Sequence, residues 1–207
     1  MKLFIVIALV FIFFMRCRTL NMAAFHPDYP TQRKLPGLQI NNHISQNYGY
    51  GYGMYNGVYV HADADILCSR YVQDNLTQSD GDVYGYVEFK MVIGQSGLAG
   101  WGWYALSIGT LCVPNIFGMP LLAAKTQLEI EMDIYDSEKR LIGRFIGKGF
   151  GKAKVAFYYG YSAMSAPRVA NVAAVSMALR EINMQLGLKV DDLDFKLRQG
   201  GKISRGN

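Results

Sequence analysis

"KTQLEIEMDIYDSEKRLIGRFIGKGFGKAKV", residues 125–155, decides how this chain folds. Its first part alternates without a break. Leu128, Ile130, Met132 and Ile134 fall on one side, and Gln127, Glu129, Glu131 and Asp133 on the other. Period two is the signature of a strand with one greasy face. Wound as a helix, the same residues would put glutamates all round the axis. "DSEKR" then turns the chain back, and "LIGRFIGKGFGKAKVAFYYGY" returns as a second strand. The local fold is therefore a long antiparallel hairpin.

Working outward, "VYGYVEFKMVI", residues 83–93, reads as another strand. "GVYVHADADILCSRY", residues 57–71, also alternates: Val58, Val60, Ala62, Ala64 and Ile66 against Tyr59, His61, Asp63, Asp65 and Leu67. It is predicted as a half-buried strand, followed by a turn centred on Asp80-Gly81. On the far side of the hairpin, Val172, Val175, Leu179, Ile182 and Leu186 recur at 3-4-3-4 spacing and predict a helix over 166–186. Ser165 is its expected N-cap, Pro167 lies in its first turn, and Gly187 is its expected stop. A sheet with one greasy face needs a second layer, and this helix supplies it. The expected fold class is α+β: a mostly antiparallel sheet of about four or five strands, one long C-terminal amphipathic helix packed on it, and an apolar insertion between strands.

That insertion is the unusual feature. From Met91 to Ala124 there is no charged residue. A membrane-spanning helix needs about 20 continuous apolar residues, and Pro114 and four glycines between 97 and 109 oppose one. A span would also put the flanking strands on opposite sides of a bilayer. Residues 94–122 are therefore expected to fold back onto their own domain. Trp101, Trp103, Tyr104, Ile116, Phe117 and Met119 are the candidates for contact with a partner or a lipid interface.

The N-terminus reads as an export signal. "MKLFIVIALVFIFFMRCRTL" has one lysine, an apolar run from Leu3 to Met15, and then Arg16-Cys17-Arg18. The run has the length of a signal-peptide core and is short for a span. Cys17 stands where bacterial lipoproteins carry the acylated cysteine, although Arg16 replaces the usual small residue. A plain secretion signal and an uncleaved anchor stay open beside lipidation at Cys17. The expected layout is a signal or lipobox-like segment over 1–18, a tether over 19–50, an α+β domain over 51–187 and a polar tail over 188–207 with disordered last residues. The Tyr/Gly run at 48–55 is expected to lie loosely on the domain.

"CVPNIFGMP" (112–120), "TQLEIEMDIYDSEKRLIGRFIGKGFGKAKVAFYYGYS" (126–162) and "APRVANVAAVSMALREI" (166–182) resemble a group of small, mostly uncharacterised lipoproteins of Bacteroides-type bacteria. The match runs from about residue 83 to 186. More distantly, the layout is similar to envelope lipoproteins with a small α/β domain. The resemblance implies a lipid-anchored protein of the cell envelope, on the outer membrane. It implies no activity.

Composition narrows the rest. The net charge is +5, but lysines and arginines are scattered along the chain rather than gathered into the basic stripe of a nucleic-acid surface. Cys17, Cys68 and Cys112 have neither disulfide nor zinc spacing. His61, Asp63 and Asp65 could share one strand face as metal ligands, but they read better as a solvent-facing polar face. "GRFIGKGFGK" is Gly-rich and basic yet lacks the Gly-Lys-Ser/Thr ending of a phosphate loop. No catalytic, cofactor or metal residues are assigned. The expected function is non-enzymatic: protein binding or self-assembly at a membrane held through the N-terminal lipid, the partner being another envelope protein or a second copy. The alternatives are a pore-forming or membrane-inserting assembly through residues 94–124 and, below it, a cell-envelope hydrolase or carbohydrate-modifying enzyme.

Overall fold

A computed structural model describes residues 22–25, 29, 33–41, 45–47, 57–78, 82–156 and 160–203. Cys17 with the 1–18 segment, the Tyr/Gly run at 48–55 and the Asp80-Gly81 turn lie outside the described residues. Strands β1 (Gly37–Ile40), β2 (Ser45–Asn47), β3 (Val83–Ala99), β4 (Leu122–Asp136) and β5 (Leu141–Val155) form one open sheet, ordered β1-β3-β4-β5 with β2 also on β3. β3, β4 and β5 pair antiparallel along their lengths, and β1 and β2 add parallel to β3. Helices α1 (Gly57–Arg70), α4 (Ala166–Gly187) and α5 (Val190–Gly200) accompany the sheet; α2 (Trp101–Gly109) and α3 (Val113–Ile116) lie between β3 and β4. The fold is α+β, as the alternation and the helical stripe predict.

The predicted inner faces are the core. Leu128, Ile130, Met132 and Ile134 of β4 are buried, together with Val172, Val175, Leu179, Ile182 and Leu186 of α4. β5 meets α4 through Gly147, Gly149 and Gly151. A Cβ at these positions would overlap the carbonyl oxygens of Ala178, Ala174 and Ala170 respectively. The Gly-rich stretch is thus a helix-packing track. Its spacing serves backbone-to-backbone approach, not phosphate binding.

Four expectations change. Residues 57–70 are helix α1, extended by a π-helical turn over Tyr71–Leu76. Ala64, Leu67, Cys68, Tyr71 and Val72 are all buried, and their spacing is the i, i+3, i+4, i+7 stripe of a helix. The alternation upstream is coincident with it, and Ile66, which alternation would bury, is 43% exposed. Second, the supposed tether contributes β1, β2 and a 3-10 turn over Met22–Phe25, and it buries Phe25, Leu35 and Leu38. Third, the polar tail forms α5, whose Leu193 and Leu197 are in the core. Fourth, Ser165 makes no side-chain cap: it is already helical, and Ser162 Oγ accepts the Ser165 N–H at 3.1 Å instead. Gly187 ends α4, but α5 starts within three residues.

The Gly–Ala track sets a prediction. Gly149→Val should destabilise the fold by several kcal/mol, because the new side chain meets helix backbone that cannot step aside. Gly97→Ala, also on a strand but with open space where the Cβ goes, should shift stability by less than about 0.5 kcal/mol. Urea unfolding of the two variants checks the contrast.

Candidate functional site

The 94–122 segment does not fold back over the sheet. β3 and β4 continue their pairing to Ala99↔Ala123, past a bulge between Ile93 and Gln95. The insertion proper shrinks to a tip over residues 100–121. Gly100 enters it at φ 97°, a conformation open to glycine at little cost. Leu111 and Cys112, between α2 and α3, both adopt left-handed backbone, at φ 51° and 61°, and each costs of order 1 kcal/mol. No helix among the described residues is long and apolar enough to cross a membrane.

The tip is built inside out. Its buried residues are Ser107 and Asn115. Ser107 Oγ donates to the Trp103 carbonyl at 2.7 Å, Thr110 Oγ1 to the Leu106 carbonyl at 2.7 Å, and Asn115 Nδ2 to the Met119 carbonyl at 2.9 Å. The large apolar groups face outward. Of the six sequence candidates, Trp101, Trp103, Tyr104, Ile116 and Phe117 are exposed, Phe117 at 86%; Met119 is half-buried. Trp101 and Tyr104 stack edge-to-face at 5.7 Å. Sequence reasoning missed Leu106, Ile108, Leu111 and Val113, which are exposed too. Their helical spacing was visible, but not which side would be covered.

The base of the tip is basic. On the sheet face away from α4, Lys125 lies opposite Lys152, and Lys154 opposite Ala123. All three lysines are exposed, and none has an ion-pair partner among the described residues. Like charges directly opposite on neighbouring strands repel, so no structural economy explains the pair. This face also holds a shallow groove of Gln95, Gly97, Lys125, Gln127 and Phe150.

Further along the same face the charges are neutralised. Asp133 accepts Lys90 Nζ at 2.9 Å and Arg144 Nε at 2.8 Å, with Glu131 completing the cluster 3.0 Å from Arg144 Nε. Burial works against ionisation of Asp133, but the hydrogen bonds and charges of Lys90 and Arg144 outweigh it and hold the carboxyl below its usual range. Asp136 is also held low against burial, by the Arg140 and Glu138 N–H groups and the Arg140 guanidinium, and it closes the 137–140 turn. Neither carboxyl is raised as a general acid would be.

The other candidates have structural partners. Asp63 is buried in a two-pronged pair with Arg168, both contacts 2.6 Å. Helix α1 turns Asp63 and Asp65 about 200° apart, so the shared face assumed for a metal is not formed; the His61 side chain lies outside the described residues. Cys68 is buried, which pushes its thiol pKa up and away from nucleophilic reactivity. Cys112 is half-buried at the tip.

No protein-family model and no curated protein matches the chain. Among solved structures, the chain is similar to one described as "a putative lipoprotein from Caulobacter crescentus CB15". The likeness covers 73% of this chain and 89% of that one, at 12% identity and a TM-score of 0.28. It is too loose to carry a functional argument.

Asp133 supplies a pH prediction. Its carboxyl is held low in the fold, so the stability it contributes is present above the ordinary aspartate value of about 3.9 and is lost as pH falls through the depressed folded value. Asp133→Asn should cost about 1.5–3 kcal/mol at neutral pH, the usual worth of hydrogen bonds to charged groups. The gap from wild type should narrow on acidification below the aspartate range. Urea unfolding across that pH range measures it.

Proposed function

We propose that this chain is a non-enzymatic envelope lipoprotein, lipidated at Cys17, whose working part is the β3–β4 tip. The carrying observation is the inverted tip: polar side chains inside, and an uncharged shell of Trp, Tyr, Leu, Ile, Val and Phe outside. Monomeric soluble domains rarely expose a contiguous apolar patch without a contact to make there. The apolar run ahead of Cys17 and the resemblance to small envelope lipoproteins support the tether. Tether and tip then act together: the lipid keeps the domain at a membrane, and the tip makes the contact.

Two measurements test the reading. Metabolic labelling with a fatty-acid analogue should mark the wild-type protein and not Cys17→Ser; an unlabelled wild type would sink the lipid claim. For the tip, Phe117→Cys in a Cys112→Ala background gives one exposed thiol once the Cys17 sulfur carries its lipid, since Cys68 is buried. Maleimide should label it quickly in purified protein and at least several-fold more slowly in intact envelopes. Equal labelling would mean that the tip touches nothing.

A further inference from the structure

The geometry points to an anionic phospholipid surface as what the tip touches, with Lys125, Lys152 and Lys154 as the headgroup contacts. This inference rests on the tip being the contact element and adds the chemistry of its partner.

Charge distribution argues it. From Met91 to Leu128 the only charged residue is Lys125, and from Gly149 to Pro167 the only ones are Lys152 and Lys154. These segments are the tip, the strand ends beneath it and the approach to α4. Among the described residues these segments carry three positive charges and no acid, and Asp63, which reaches the start of α4, is buried in its pair with Arg168. The next lysine along β5, Lys148, already has Glu129 at 3.7 Å. A self-complementary contact between two copies would bring the three lysines of each copy to the rim of one interface with no acid to meet them. An anionic surface takes them without that cost.

Spacing agrees. Lys154 sits across from Ala123, at the base of the tip, and Lys152 sits across from Lys125, two residues further down the strands. Two residues of strand are about 7 Å. The headgroup layer on each side of a bilayer is about 5–8 Å thick, from a total near 40–45 Å around a 30 Å hydrocarbon core. With the tip at the acyl boundary, all three ammonium groups fall at headgroup depth. Their long stems let them adjust. Met164, 88% exposed just before α4, adds an apolar group at the same end of the domain.

The chain's two tryptophans, Trp101 and Trp103, are both exposed at the tip, so intrinsic fluorescence reads the tip without a label. The full-length lipidated protein is reconstituted into vesicles of phosphatidylcholine, or of phosphatidylcholine mixed with phosphatidylglycerol, with bromine on the acyl chains as a quencher. Strong quenching and a shift of emission to shorter wavelength are expected in the anionic vesicles, and much weaker effects in the neutral ones. Raising salt from about 0.1 M to about 1 M shortens the screening length from about 10 Å to about 3 Å and should reverse most of the difference. A lysine beside an anionic surface is worth about fivefold in partition. The Lys125→Gln/Lys152→Gln/Lys154→Gln protein should therefore lose insertion on the order of a hundredfold. Circular dichroism checks that it stays folded; if it does not, the lipid and salt arms on wild type still decide. Equal quenching in both lipids, insensitive to salt, would overturn the lysine contact while leaving the tip a membrane element. No quenching in either, or a shift that grows with protein concentration without vesicles, would overturn the lipid surface as partner; the latter would assign the tip to a second copy.

Discussion

The architecture depends on the close approach of α4 to β5. Every second residue of the strand, Gly147, Gly149 and Gly151, meets every fourth residue of the helix, Ala178, Ala174 and Ala170. Two strand residues rise about 7 Å and four helix residues about 6 Å, so the two tracks stay in step for three contacts. Without side chains at these points, helix and strand backbones touch. The helix is then close enough to finish the sheet's edge: Glu181 accepts the Lys148 N–H at 2.6 Å, and Gln185 donates to the Ile146 carbonyl at 2.7 Å. An open edge strand invites pairing with another chain. Here helix side chains occupy two of its polar groups, and its outward residues include Arg144, Lys148, Lys152 and Lys154.

Fixing α4 on one face decides what the other face can be. The inner layer seals two apolar clusters, one along the length of the sheet and a small one of Leu122, Ala124, Ala153, Val155, Ala166 and Ala170 beneath the tip. The outer face must be polar, and its charges are sorted along the strands. Acids and bases pair around Asp133 and Glu131. Past Glu129 and Lys148 only lysines follow. The rigid hairpin is therefore also a charge gradient, and its basic end is the end with the apolar tip.

Much of this was legible in the sequence. The alternation of 125–136 and the spacing of Val172 to Leu186 both read true, because in each a single period excludes the other. The α1 stretch failed for the opposite reason: Ala64, Leu67, Cys68, Tyr71 and Val72 satisfy a helical stripe while Val58 to Ile66 alternate, and short runs carry both signals. β1 was invisible because a four-residue strand has no period of its own. It exists because its backbone pairs with the free edge of β3 while Leu38 is buried, and just ahead of it buried Leu35 bridges Thr77. The lysine cluster was within reach. A hairpin turning at 137–140 fixes which residues face each other, and Lys125 opposite Lys152 follows from it. The tip was harder, since an uncharged stretch with a Ser and an Asn in it does not say whether its polar or its apolar groups will be inside.

On the proposed reading, the inverted tip would share the work of membrane attachment with a lipid on Cys17. A single acyl chain binds a membrane only marginally, with a constant near 10⁴ M⁻¹, or about 5.5 kcal/mol, so stable attachment takes a second signal. Leu111 and Phe117 are 87% and 86% exposed, and taking each fully out of water is worth about 1.5–3 kcal/mol. Those two residues alone approach the contribution of one acyl chain, before Trp101, Ile108 or the lysines are counted. The left-handed backbone at Leu111 and Cys112 costs a small part of that. In water the same groups would be a liability for aggregation. A lipid on Cys17 would resolve both problems together, because it would hold the domain where the tip has an apolar phase to enter.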